Sequence, residues 1–141
     1  MPTIFTRIID GELPGYFVWR DDRSVAFLSI NPIRDGHTLV VPRAEVDHWI
    51  NLPIGDLTHA TLVARTIAQS MQKAFPSEKV GLLLVGLEVP HVHFHVLPID
   101  RVSDVDFRNQ RSNVPQEELA ANAARLREQL VSDGHGENAL A

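Results

Sequence analysis

His91-Val92-His93-Phe94-His95-Val96-Leu97 alternates imidazole and apolar side chains with a period of two, the pattern of an extended segment whose two faces meet different surroundings. Val92, Phe94 and Val96 are expected in the core, with the three rings in a row on the other face. Seven histidines in 141 residues make such a triplet a rare accident, about two in a hundred chains. Upstream, Val80 to Val85 is a near-continuous apolar strand, and Gly86 to Pro90 is the loop that leads into the histidines. Two more apolar runs, Val25–Ile30 and His37–Val41, flank the turn formers Asn31-Pro32-Ile33-Arg34-Asp35-Gly36 and read as a hairpin. Phe17–Arg20 is a further short strand.

Helical spacing surrounds these strands. Ile4, Phe5, Ile8 and Ile9 mark a short opening helix that stops at Gly11 and Pro14. Leu57, Thr61, Ala64, Ala68 and Met71 recur every three or four residues, with Asp56 as the N-cap and Pro76 as the stop, and form the main helix. Leu119, Ala123, Leu126 and Leu130 form one stripe of a C-terminal helix over Pro115–Val131. Residues 132–141 read as a flexible tail, which leaves 1–131 as a single domain. The connections are mostly too short for parallel crossovers, so the fold class is α+β, with an antiparallel sheet of about five strands.

Composition narrows the partners. Thirteen basic and eighteen acidic residues give a formal charge of -5 with no basic cluster, which argues against binding polymeric nucleic acid. No cysteine is present, so disulfides, thiolate nucleophiles and Cys-ligated metal sites are excluded. The longest apolar run, Val80 to Leu87, falls far short of the roughly 20 residues that span a bilayer. No membrane partner is expected, and with no basic-then-apolar leader at the N-terminus the expected setting is cytoplasmic.

The row of rings admits three readings. It is a solvated strand face that happens to carry histidines, or a metal site built on His91 and His93 at i and i+2, or a site of covalent catalysis at phosphorus. In the last, one imidazole attacks, its neighbours manage charge and proton, and a phosphohistidine divides the reaction into two easier steps. The third is favoured, because the carboxylate or extra histidine that would complete a metal site is not evident. His37, entering a strand after Gly36, reads on its own as structural. Trp19 and Trp49 read as packing residues, and His48, His59 and His135 as surface residues.

The same residues carry a family resemblance. His91 to Leu97 resembles the His-φ-His-φ-His-φ-φ signature of the histidine triad (HIT) superfamily, φ being apolar. Three further stretches are similar in the same order: Ile4-Phe5 with Ile8-Ile9 and Gly11-Glu12, then Ala26–Pro32, then Gly36–Pro42. The resemblance implies a HIT-like α+β fold, usually a two-fold homodimer, that binds nucleoside phosphates. It implies cleavage at the α-phosphorus of nucleoside phosphoramidates, adenylates or dinucleoside polyphosphates. By position, His93 would be the nucleophile, His95 would meet the phosphate and the leaving atom, His91 would support them and His37 would be the fourth histidine behind. Ile4, Phe5, Ile8, Phe27, Ser29 and Ile30 would hold the nucleoside.

The chain departs from the family pattern in three places. Ser29 stands where the family usually has Asp or Asn for the ribose hydroxyls, a loss of about 1.5 to 3 kcal/mol for a charge-assisted bond. Gly86-Leu87-Glu88-Val89-Pro90 replaces a polar, Gly-rich phosphate loop, and Glu88 would repel a phosphate if it faced the site. Thr3 and Thr6 occupy the places of a zinc-binding Cys-x-x-Cys found in some members. No metal and no cofactor are expected. The alternative functions are a nucleotide-binding regulatory protein with little catalysis, or a His-ligated metalloprotein.

Overall fold

The computed structural model describes residues 1–140. Five strands, β1 (Phe17–Arg20), β2 (Ser24–Leu28), β3 (Thr38–Pro42), β4 (Lys79–Leu84) and β5 (Phe94–Ile99), form one sheet in the order β1-β2-β3-β5-β4. Every neighbouring pair is antiparallel. Four helices, α1 (Ile4–Ile9), α2 (Ile54–Ala74), α3 (Gln116–Ser132) and α4 (Gly136–Ala139), complete the α+β architecture. No helix among the described residues is long and apolar enough to cross a membrane.

Strand alternation divides the apolar residues between two faces. Ala26, Leu28, Val40, Phe94 and Val96 point to one side and bury Ile67 and Met71 of α2 and Leu126 and Leu130 of α3. Val25, Phe27, Leu39 and Val41 point to the other, where Phe5 of α1 covers them. The register then aligns a row across that second face: Phe17 opposite Phe27, Phe27 opposite Leu39, Leu39 opposite His95, and His95 opposite Leu83. A histidine on the strand next to the β4 edge is thereby placed in line with two phenylalanines.

Several sequence expectations need correction. Only His95 lies in β5, because Pro42 has no N–H to extend the ladder and Val92 N–H turns instead to Val46 O at 2.8 Å. The alternation nevertheless persists, with Val92 in the core and the rings on the opposite side. Helix α2 begins at Ile54, and its N-cap is Pro53, whose carbonyl accepts from Asp56 N–H and Leu57 N–H. Asp56 sits instead in the first turn, where the helix dipole and Arg23 at 2.8 Å favour its charge. Trp49, expected to pack, is 42% exposed in a 3-10 turn. The expected flexible tail carries α4, whose Ala139 is buried and whose Asn138 donates to Arg20 O at 3.0 Å; only Ala141 of that segment lies outside the described residues.

The β2–β3 turn holds the strand that begins beside His37. Gly36 has φ +91° and lies under the Phe75 ring, which a Cβ would meet at 2.8 Å. Both the left-handed backbone and the close ring require glycine. Gly36→Ala is expected to cost about 1 to 3 kcal/mol, measured as a lower urea midpoint with an unchanged slope.

Candidate active site

Four buried imidazoles form two hydrogen-bonded systems beside the cavity under α1. Their partners assign the tautomers, since an amide N–H can only donate and a carbonyl can only accept. Ile33 N–H donates to His37 Nδ1 at 3.0 Å, so His37 carries its proton on Nε2. That Nε2–H donates to His95 Nδ1 at 3.0 Å, which leaves the His95 proton on Nε2. In the second system His93 Nδ1–H donates to His91 O at 2.8 Å, so His93 Nε2 keeps a free electron pair.

His91 is a strut. Its Nε2–H donates to Pro42 O at 2.7 Å, and its Nδ1 accepts from Thr3 Oγ1 at 2.7 Å. Thr3 is the N-cap of α1, accepting from Thr6 N–H at 3.1 Å. Glu45 closes the clasp by accepting from Thr3 N–H at 2.6 Å and from Thr6 Oγ1 at 2.7 Å. The ring therefore ties the helix that lines the cavity to the end of β3. Its carbonyl sets the tautomer of His93.

Burial keeps these rings uncharged. It pushes His37 down to about 4 and His95 down to about 3, with the charges of neighbouring imidazoles adding to the effect. Burial also lowers His91 and His93, although the His91 carbonyl and Glu88 act in the opposite direction on His93. The His93 ring meets Phe5 edge-on at 4.9 Å and His95 at 4.8 Å. Phe107 packs on the far side of His95 at 5.1 Å. An uncharged ring with a free electron pair and a ring with an N–H donor thus sit side by side, both held in place.

The cavity has a volume of about 530 Å³, within the range of small-molecule sites. His93 and His95 line it, as do Ile4, Phe5, Ile8, Phe27, Ser29 and Ile30. His37 and His91 stand behind the wall. Phe5 and Phe27 meet edge to face at 5.5 Å and form an apolar floor. Ser29 Oγ accepts from Asn31 N–H at 3.2 Å, which leaves its hydroxyl hydrogen to donate. Glu88 also faces this cavity.

Sequence reading missed one wall. Gln110, Asn113, Gln116 and Leu119 come from the chain beyond the sheet. Arg111 holds that segment in place: its N–H donates to Pro32 O at 3.0 Å, and its guanidinium meets Glu118 at 2.8 Å and Asp35 at 3.3 Å. The local signal is Asn113, a residue that tolerates the left-handed region it occupies at φ 57°.

The geometry speaks against two readings of the histidines. They are not a solvated face, being 0%, 3% and 4% exposed at positions 91, 93 and 95. They do not converge on a cation either, since both nitrogens of His91 and Nδ1 of His93 and His95 are already engaged. No group of three or more His, Cys, Asp or Glu suited to a metal occurs among the described residues. The Thr3, Thr6, Glu45 and His91 donor set also does not suit zinc, whose sites use thiolates, imidazoles and carboxylates rather than hydroxyls.

Comparison with known proteins bears on the family and the fold. Residues 10–102 match the model of the family described as HIT domain. An uncharacterized HIT-like protein of Borreliella burgdorferi is 35% identical over 78% of this chain and 83% of its own length. Adenosine 5'-monophosphoramidase HNT1 of Saccharomyces cerevisiae is 32% identical over 67% of this chain and 61% of its own length. Among solved structures, a Hit-like protein of Bartonella henselae superposes with a TM-score of 0.78 at 27% identity, covering 90% of this chain and 95% of that one. A hypothetical histidine triad nucleotide-binding protein of Sulfolobus tokodaii gives 0.79 at 25% identity, covering 91% of each.

Proposed function

The chain belongs to the HIT domain family, and on that premise we propose that it is a nucleotide hydrolase or transferase that cleaves the P–N bond of nucleoside phosphoramidates through a nucleotidyl-His93 intermediate. The observation that carries this reading is the free electron pair on His93 Nε2, beside an N–H on His95, at the edge of a cavity with an apolar floor. The yeast relative bears the name of a phosphoramidase, which supports P–N over P–O–P chemistry.

The base and ribose lie between Phe5, Ile8 and Phe27 and near Ser29, with the α-phosphorus at His93. His93 Nε2 gives its pair to phosphorus, and the P–N pair departs with the amine nitrogen, which takes one proton. A phosphate anion beside His95 offsets the burial that keeps this ring neutral in the free protein, so the ring can carry that proton and pass it on. Water then attacks phosphorus, frees His93 and yields a nucleoside monophosphate and one proton. The His37–His95 pair holds the donor in register throughout.

A homodimer belongs to the same reading. Strand β4 is an edge of the sheet, and Leu82 on it is 53% exposed, an unblunted edge suited to a second copy. The test is rapid-quench mass spectrometry of protein mixed with a nucleoside phosphoramidate. A nucleotidyl group on the peptide containing His93 is expected. Binding of nucleoside monophosphate with neither adduct nor turnover would instead assign a regulatory binding protein.

A further inference from the structure

A second hollow of about 230 Å³ opens beside the nucleotide cavity, lined by Asp47, His48, Trp49, Leu87 and Val92 among others, and among the described residues the one lining residue the two share is His93. His93 is 3% exposed, its Nε2 has no hydrogen-bond partner among the described residues, and its ring is the place where the two spaces meet. No Lys or Arg among the described residues lines either hollow. The charged side chains at the junction are both acidic: Glu88 on the cavity side, near enough for its charge to act on His93, and Asp47 on the other. Neither forms an ion pair among the described residues.

This arrangement is the reverse of what a polyphosphate needs. Sites for multiply charged phosphate chains place cations against them, whereas a leaving group near Glu88 and Asp47 meets repulsion if anionic and attraction if cationic. Trp49 at 42% and Leu87 at 89% exposure add an apolar and aromatic surface, the kind that covers an alkyl chain or stacks against an ammonium.

We propose that the second hollow receives the leaving group, and that the class it selects is an amine bearing a further cationic group on an alkyl chain, with anionic leaving groups and dinucleoside polyphosphates disfavoured. This rests on the phosphoramidate reading above. In the step concerned, the P–N electron pair goes to the reacting nitrogen, which takes one proton from the His95 ring. The distal ammonium keeps its charge throughout against Asp47 and Glu88.

Three nucleoside phosphoramidates with alkylamine leaving groups of equal length, ending in ammonium, hydroxyl or carboxylate, test the selection by kcat/KM at low and high salt. The ammonium substrate is expected to lead the hydroxyl one by about tenfold, and the hydroxyl to lead the carboxylate by about tenfold, both gaps narrowing in salt. Asp47→Asn with Glu88→Gln should compress the order. Equal rates, or an order that survives both substitutions, would overturn the proposal, as would a dinucleoside polyphosphate, with or without Mg2+, cleaved as fast as the ammonium substrate. Uncleavable analogues with a methylene for the bridging NH and the same three termini separate the two claims by calorimetry. Ordered affinities without turnover would retain the selection and overturn the hydrolase, while equal affinities would overturn the selection whatever the rates.

Discussion

His93→Ala is expected to lower kcat on a nucleoside phosphoramidate by about 10⁴-fold or more, the scale seen when a covalent nucleophile is removed, while nucleotide binding stays measurable. The prediction follows from the tautomers. Each of the other three rings has its nitrogens committed: His91 bridges Thr3 and Pro42, His37 bridges Ile33 and His95, and His95 presents a proton rather than an electron pair. Only His93 offers a free pair to the cavity. Single-turnover kinetics with rapid quench separates this from a loss of folding, because a folded variant still binds nucleoside monophosphate by calorimetry. His91→Ala makes the contrast: it removes a strut and should lower stability first, by about 2 to 4 kcal/mol for a buried, doubly bonded ring. Retained turnover in His93→Ala would end its role as nucleophile, and an adduct on His95 would show that the tautomers are assigned wrongly.

Much of this site could be read in the sequence because two local periodicities and a family resemblance carry it. Alternation placed the three histidines opposite Val92, Phe94 and Val96, helical spacing marked Ile4, Phe5 and Ile8 as one side of a short helix, and the six nucleoside contacts were implied by the family resemblance alone. All six expected nucleoside contacts line the cavity. The division of labour among the histidines could not be read in that way. Whether a ring faces the cavity or stands behind it depends on long-range partners such as Thr3 with His91 and Ile33 with His37, and no spacing rule encodes those. The wall from Gln110 to Leu119 stayed hidden for the same reason, since Arg111 reaches Pro32 and Asp35 across the fold. The start of α2 was misread because Asp56 satisfies two preferences at once, the N-cap and the first turn, and Pro53 had already taken the cap. In the C-terminal segment, polar composition suggested fraying, but buried Ala139 and the Asn138 bond to Arg20 O seat a helical turn against β1.

Between pH 7 and pH 5 the protein is expected to lose about 4 kcal/mol of unfolding free energy through His37 and His95, roughly 2 kcal/mol from each. Burial holds these rings at about 4 and about 3 in the folded chain, against the ordinary imidazole value of about 6.5 in the unfolded chain. Below 6.5 the unfolded chain therefore takes up protons that the folded chain refuses, and stability falls with pH until the folded values are reached. His91 and His93 are lowered too and act in the same direction. The lowered carboxylates, Asp133 at about 2 among them, lose their contribution only further into acid. Urea titrations at pH 7, 6 and 5 measure the fall. His37→Leu should lose about 1 to 3 kcal/mol at pH 7, because Ile33 N–H is left unpaired, yet fall less steeply towards pH 5. The two results bear on one cause. Ile33 N–H keeps His37 Nδ1 an acceptor, which makes its Nε2 a donor and leaves His95 no easy place for a second proton until an anion binds beside it. A stability that does not change between pH 7 and pH 5 would mean that the pair accepts protons freely in the free protein, and the tautomers that leave His95 neutral with its proton on Nε2 would not hold.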